Sequence, residues 1–217
     1  MPWYPLMTVL TLAIPVSVFE WIPGHYSLRA LGLSWFATIA FLALTQPGLL
    51  RRRSLGTAEG PSSPGWDGRL FRSLQASLLS LLAVAGLQSG WGDIALDREV
   101  FTTGGAFLLV GTLLLWSSLH SNPFFETRVR HQQEQGQRVV DTGLYGWVRH
   151  PGYLAMIFML TSLPIMLHSL ASVLPWAVCV AILVVRLRRE ESYLEAHLDG
   201  YKEYRSRVRF RLIPLIW

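Results

Sequence analysis

Apolar residues dominate the chain in long runs that carry no formal charge. Residues 6–19, 74–87 and 153–167 are examples, and short segments between such runs hold nearly all of the arginines. A helix needs roughly 20 apolar residues to cross about 30 Å of hydrocarbon, because unpaired backbone polar groups are costly in lipid. The pattern therefore predicts an all-α fold, a polytopic bundle of helices integral to a membrane.

Six runs are long enough, or nearly long enough, to be transmembrane helices. They lie at about residues 4–22, 28–48, 70–91, 104–121, 151–168 and 170–188. The last two are the shortest and are joined by little more than His168 and Ser169, so we expect them to form a tight helical hairpin. The first run lacks a basic leader and a small-residue cleavage site, which favours a membrane span over a signal peptide.

The composition supports this class. Of 217 residues, 51% are hydrophobic and 15% are charged, whereas soluble domains average about 25% charged residues. A disordered chain and an ordinary soluble domain are therefore excluded. The net charge of +5 fits basic membrane loops and does not require a nucleic acid. The one cysteine, Cys179, cannot form an internal disulfide, and no histidines have ligand-like spacing with a carboxylate, so no metal site is predicted.

The arginines also predict an orientation and a division of the chain. They concentrate in alternate loops and in the segment after residue 186, which places both termini on the cytoplasmic side. Heavy use of Arg, Ala, Leu and Gly favours a bacterial inner membrane. Residues 1–121 are interpreted as N-terminal transmembrane helices, with a flexible cytoplasmic loop without chemistry near residues 49–69, and residues 122–217 as a second region that carries the function.

Three glycines in the fourth predicted span are interpreted as positions of close helix packing, either within one chain or between two, so the oligomeric state stays open. They are Gly104, Gly105 and Gly111.

Polar residues of chemical interest concentrate in two segments that flank the predicted hairpin. They are residues 121–153 and residues 186–211. A two-helix return would bring both to the same face of the membrane. We therefore expect Arg149 and Glu190 to be neighbours although they are remote in sequence.

The residue types in these segments suit a zwitterionic ligand. Pro151 is typical of the first turn of a helix, where free backbone N–H groups and Arg149 could bind an anion. The adjacent carboxylates Glu190 and Glu191 indicate a cationic partner near lipid. The alternative is that these are ordinary loop charges, with the carboxylates paired locally to Arg186, Arg188 or Arg189.

The strings GLYGWVRHPGY, at residues 143–153, and REESYLEAHLDGYKEYRSRVRFRLIP, at residues 189–214, resemble the isoprenylcysteine carboxyl methyltransferase superfamily, which includes phospholipid N-methyltransferases. The resemblance covers roughly residues 122–214. It implies transfer of a methyl group from S-adenosylmethionine, in a cytoplasm-facing pocket, to a lipidic or lipid-tethered acceptor.

The resemblance also implies roles for particular residues. Arg149 and Glu191 would be catalytic, and His120, Asn122 and Arg207 are weaker candidates for substrate binding. Cofactor binding would fall to Gly143, Leu144, Tyr145, His150, Tyr153, Glu190, Glu191 and Tyr204.

The acceptor stays open among a carboxylate, a phospholipid amine and a small thiol. An arginine near the nucleophile favours a carboxylate, whereas an amine or thiol needs a base such as His150 or His197. Two alternatives of other classes are a sterol-reductase-like enzyme that uses NADPH and a non-catalytic membrane protein of the same fold.

Overall fold

The computed structural model describes residues 26–55, 63–89 and 98–217. These ranges contain helices and turns but no β-strand, which confirms the all-α prediction for the described residues. An isolated parallel bridge joins Val148 to Phe210. The helices are α1 (Tyr26–Thr45), α2 (Pro47–Leu55), α3 (Gly65–Ser89), α4 (Arg98–Ser121), α5 (Pro151–Met166), α6 (Val173–His197) and α7 (Tyr201–Arg207), with 3₁₀ turns at Gln133–Gln135 and Gly143–Gly146.

Within the ranges that the structure describes, two helices are long and apolar enough to cross a membrane by length and composition. They are the stretch Gly65–Gln88 of α3 and the whole of α4, while Gly32–Thr45 and Pro151–Met166 are shorter apolar helices. The prediction of a helical membrane protein is thus supported. The number of six spans stays a prediction, and the span predicted at 4–22 lies outside the described residues.

The predicted flexible loop near residues 49–69 contains more helix than expected. Helix α2 continues to Leu55 and α3 begins at Gly65, so the described ends of this region are largely helical. The N–H of Asp67 donates to the Pro64 carbonyl oxygen at 2.8 Å as α3 begins. Asp67 is also fully buried, so this residue belongs to an ordered helix start and not to a flexible loop.

Helices α4 and α5 pack closely because two glycines lack a side chain. A Cβ on Gly104 would lie 2.3 Å from Met166 Cγ, and a Cβ on Gly111 would lie 3.0 Å from the Ala155 carbonyl oxygen. Both glycines therefore serve close packing within one chain. A Cβ on Gly105 would meet nothing within 4 Å, so this glycine has no packing role among the described residues.

Helices α5 and α6 run in opposite directions after a turn at residues 167–172. The Tyr153 hydroxyl at the start of α5 donates to the Glu190 carboxylate near the end of α6. Nearer the turn, Trp176 Nε1 donates to Thr161 Oγ1 at 3.2 Å. This arrangement places the N-terminal end of α5 beside the C-terminal end of α6, where the two polar segments meet.

Candidate active site

A cavity of about 180 Å³ lies where the segment after α4, the first turn of α5, the end of α6 and α7 converge. Pro151 opens α5 at its first position, where the missing N–H leaves no helical hydrogen bond unmade. Seven of the residues predicted for the site line this cavity. They are Asn122, Tyr145, Arg149, His150, Tyr153, Glu190 and Tyr204.

Arg149 joins the segment before α5 to the chain that follows α7. Its N–H donates to the Phe210 carbonyl oxygen at 2.9 Å. Its Nη1 donates to the carbonyl oxygens of Val208 and Arg209 at 2.6 and 2.8 Å. Its Nε donates to Glu191 Oε1 at 2.6 Å. The guanidinium therefore has most of its donors occupied by the protein itself, so its geometry favours a clamp on the chain after α7 over a free anion site.

Glu191 lies behind the cavity wall and compensates the positive charges around it. Its carboxylate also accepts from Arg211 Nε at 2.7 Å, and His150 Nε2 lies 3.8 Å away. The Glu191 carboxyl lies beyond the apolar part of α6. Burial by itself would raise the pKa of this carboxyl. The interactions with His150, Arg211 and Arg149 outweigh burial and hold the pKa well below its usual range.

Tyrosine hydroxyls fix other parts of the site. The Tyr204 hydroxyl donates to the Tyr145 carbonyl oxygen at 2.7 Å and so joins α7 to the 3₁₀ turn Gly143–Gly146. Burial raises the pKa values of Tyr145, Tyr201 and Tyr204 well above the ordinary value of about 10. These phenols therefore stay protonated and are able to donate a hydrogen bond. His150 and Tyr153 pack edge to face, with ring centroids 5.8 Å apart.

Three buried polar side-chain atoms of the described residues have no hydrogen-bond partner, and all three belong to residues that line the cavity. They are Gln132 Oε1, His150 Nε2 and the Tyr201 hydroxyl. The Gln132 amide is held in place because its Nε2 donates to the Phe124 carbonyl oxygen at 2.8 Å. Buried polar groups are nearly always satisfied in native proteins, by the protein, by water or by a ligand, so these atoms are positions that a polar ligand in the cavity could use.

An ion-pair network stiffens the wall between α4 and α5. The Arg130 side chain is buried and its Nε donates to Glu126 at 2.8 Å, while its Nη1 donates to Glu134 at 2.5 Å. The hydrogen bond to Glu126, opposed by burial, raises the pKa of Arg130. Arg130 and Gln132 were not among the residues predicted from the sequence, where nothing but the positive charge of the loop was visible.

A second buried pair, also missed from the sequence, adds a cation to the cavity. Arg186 lines the cavity, and its Nε donates to Asp67 Oδ1 at 2.8 Å. Its Nη2 donates to the Thr127 carbonyl oxygen at 2.7 Å. An arginine one helical turn before the two glutamates could have indicated this position, because residues at i and i+4 share a helix face.

Five predicted residues do not line the cavity. Besides Glu191, they are Gly143, Leu144, His120 and Arg207. Gly143 has a φ of +59° and lies against Ser121, whose Oγ would be 2.7 Å from an added Cβ. Leu144 contributes its carbonyl oxygen, which accepts from the N–H of Trp147 and of Val148 at 3.1 and 3.0 Å.

The other two lie at the surface. His120 is exposed and its carbonyl oxygen accepts from Gln46 Nε2 at 2.9 Å. Arg207 is exposed and pairs with Asp141 at 3.1 Å.

Comparison with known proteins agrees with the resemblance seen in the sequence. Residues 103–196 match the model of the isoprenylcysteine carboxyl methyltransferase family. The fold is similar to that of a solved eukaryotic intramembrane Ras methyltransferase, an isoprenylcysteine carboxyl methyltransferase. The TM-score is 0.62 and the identity 17%, over 99% of this chain and 74% of that one. No curated protein matches the chain.

Proposed function

We propose that this chain, whose residues 103–196 match the model of the isoprenylcysteine carboxyl methyltransferase family, methylates a lipidic or lipid-tethered carboxylate with S-adenosylmethionine as the methyl donor. The match to this family supports a methyltransferase. The acceptor closest to the family's description is a cysteine that carries an S-linked isoprenoid and a free carboxylate. The observation that carries the proposal is the cavity whose buried lining includes three polar atoms without partners.

The residues around the cavity fit S-adenosylmethionine, which when bound supplies an electrophilic methyl group on a sulfonium. His150, Gln132 and Tyr201 offer the unpartnered polar atoms for its polar groups. The Glu190 carboxylate and the Tyr153 ring favour its positive charges, because carboxylates and aromatic faces attract cations. We assign Tyr145 and Tyr204 to the same pocket, with Gly143 and Leu144 shaping the turn that holds Tyr145.

For this reaction the protein mainly has to align the acceptor carboxylate with the methyl group. An oxygen of the acceptor carboxylate forms a bond to the methyl carbon while the carbon–sulfur bond breaks, and the products are a methyl ester and a neutral thioether. The carboxylate reacts in its ionised form, so no proton has to be removed and no base is needed. The contribution of the site is then orientation and exclusion of water.

Arg186 is the residue best placed to hold the acceptor carboxylate. It lines the cavity, and its Nε and Nη2 are committed to Asp67 and to the Thr127 carbonyl oxygen. Within the described residues its Nη1 makes no hydrogen bond that would compete with a ligand. Guanidinium groups suit carboxylates through charge and planar geometry.

Arg149 and Glu191, predicted to be catalytic, are proposed to act through position. Arg149 holds the chain after α7, and Glu191 holds Arg149 and faces His150, so both fix the wall on which His150 lies. Asn122 lines the cavity and stays a candidate for substrate binding. His120 and Arg207 could meet an acceptor at the surface beyond the cavity, because both are exposed.

The membrane supplies the remaining part of the proposal. We place the cavity and the arginine-rich segments on the cytoplasmic side of a bacterial inner membrane, with six spans and a hairpin of α5 and α6. This orientation is supported by the distribution of arginines. The acceptor would then approach from the bilayer and S-adenosylmethionine from the cytosol.

Calorimetric titration of the purified protein in detergent tests the pocket. We expect saturable binding of S-adenosylmethionine and of S-adenosylhomocysteine, its demethylated product, and a large loss of affinity in His150→Ala and Glu190→Ala. Glu195→Ala is the matched control, since Glu195 pairs with Arg205 and does not line the cavity. No binding by the wild-type protein, or unchanged affinity in both cavity variants, would overturn the proposal.

An amine or thiol acceptor is the second candidate, and the unpartnered Nε2 of His150 favours it. His150 lines the cavity, and an imidazole nitrogen in its neutral form could accept the proton that such acceptors lose on methylation. The two candidates differ in their products. A methyl ester releases methanol in alkali, whereas a methylated amine or thioether does not.

A further inference from the structure

Asp67 is the most completely buried charged residue of the described chain. Its side chain has no solvent exposure and lies in the first turn of α3, far in sequence from the residues it contacts. Oδ1 accepts from Arg186 Nε at 2.8 Å, and Oδ2 accepts from the Val129 N–H at 3.3 Å. Arg128 Nη1 lies 3.7 Å from Oδ2. One carboxylate thus connects α3, α6 and the segment between α4 and α5.

These contacts restrict how the Arg186 guanidinium can turn. Asp67 fixes Nε on one edge, and the Thr127 carbonyl oxygen fixes Nη2. Thr127 and Val129 belong to the same cavity wall, and Asp67 holds that wall through the Val129 N–H. The orientation of Arg186 and the position of the wall therefore depend on the same carboxylate.

We infer that Asp67 is a positioning residue, which acts on methyl transfer by aiming Arg186 at the acceptor. The inference rests on the proposed function, because it needs Arg186 to hold the acceptor carboxylate. Asp67 does not line the cavity, so it touches neither the acceptor nor S-adenosylmethionine.

The local charges explain why Arg186 needs this partner. The Arg186 guanidinium lies 5.9 Å from the centre of the Tyr153 ring, and Tyr153 donates to Glu190. Without Asp67, the Glu190 carboxylate, one helical turn further along α6, remains to attract Arg186. A guanidinium drawn toward Glu190 would be turned away from the acceptor, because its Nε–Asp67 anchor is gone.

A double-mutant cycle separates positioning from general stability. Asp67→Asn, Arg186→Ala and the double variant are assayed in lipid nanodiscs with methyl-labelled S-adenosylmethionine and N-acetyl-S-farnesylcysteine. Asp67→Asn keeps the shape and an acceptor for the Val129 N–H but removes the charge. Asp67→Glu is a second variant that restores the charge, and Glu195→Ala is the control outside the network.

We expect Asp67→Asn to lower kcat/KM for the acceptor roughly 10- to 100-fold, as displacement of a substrate-orienting group does. We expect partial recovery in Asp67→Glu and a similar dissociation constant for S-adenosylmethionine in Asp67→Asn and wild type. The double variant should be no worse than Arg186→Ala, because Asp67 then has nothing to aim.

Losses that multiply in the double variant, or wild-type kinetics in Asp67→Asn, would overturn the inference while leaving the proposed function intact. Absence of turnover in wild type with this acceptor removes the carboxylate role of Arg186 and so overturns the inference with it. Binding of S-adenosylmethionine by that same wild-type protein would show that the cofactor part of the proposed function survives.

Discussion

Glu191→Ala should destabilise the protein strongly, because it removes the carboxylate that pairs with the buried guanidinium of Arg149. The side chains of Glu191 and Arg149 are 5% and 3% exposed, and Glu191 also pairs with Arg211. Removing one partner of a buried ion pair costs about 3–5 kcal/mol, because the other charge stays buried. At roughly 2–4 °C per kcal/mol for a chain of this size, the melting temperature should fall by roughly 6–20 °C.

Thermal unfolding in detergent, followed by tryptophan fluorescence, measures this loss. Glu195→Ala is the matched control, because the pair of Glu195 with Arg205 is 2.6 Å long but both side chains are partly exposed. An exposed pair contributes about 0–1 kcal/mol, so the control should melt within a few degrees of wild type. Equal melting temperatures for Glu191→Ala and Glu195→Ala would refute the assignment of Glu191 to a buried clamp.

Three further predictions concern the same structure. Folding lowers the pKa of Glu191, so the ionised carboxylate contributes its full stabilisation above about pH 4.3, the ordinary pKa of a glutamate. This contribution is lost as the pH falls toward the lower pKa of the folded state. In acid titrations the free energy of unfolding should therefore fall faster for wild type than for Glu191→Gln. Gly111→Ala should lower the free energy of unfolding by about 1–3 kcal/mol, since the added Cβ would lie 2.7 Å from Met159 Cγ. Gly105→Ala should be neutral or stabilising, and equal effects of the two variants in thermal unfolding would contradict the packing. Tyr204→Phe should cost about 1 kcal/mol by the same assay, through loss of the bond to the Tyr145 carbonyl oxygen, and no change would show that this bond is not net stabilising.

The helical class of the fold follows directly from the sequence, because lipid leaves a chain few ways to pair its backbone. The start of α3 could not be predicted from the sequence. A run rich in Gly, Pro and Ser indicates a loop by local preference, yet α3 begins at Gly65. The partner of Asp67 is Arg186, 119 residues further along the chain, and no local pattern reports such a contact.

The meeting of the two polar segments was predictable, since antiparallel α5 and α6 return the chain to the same end of the bundle. Which of the two glutamates lines the cavity was not predictable. Adjacent residues on a helix point about 100° apart, so Glu190 and Glu191 need not have the same surroundings. Glu190 lines the cavity and Glu191 turns to Arg149 and Arg211, a choice set by the chain after α7.

The same limit applies to Arg149 and Arg186. In the sequence, both residues are arginines near a predicted helix end, so their charge alone does not distinguish their roles. In the fold, Arg149 meets the carbonyl oxygens of Val208 and Arg209, whereas Arg186 faces the cavity from α6. We therefore propose that Arg186, which lies outside the motif that carries the resemblance, binds the acceptor in place of Arg149.

The most direct test of the central claim is methyl transfer by the purified protein in nanodiscs, from methyl-labelled S-adenosylmethionine to N-acetyl-S-farnesylcysteine. The account predicts a labelled product that releases methanol in alkali, with the activity lost in His150→Ala and kept in Glu195→Ala. A labelled product that resists alkali, no labelled product at all, or full activity in His150→Ala would contradict it.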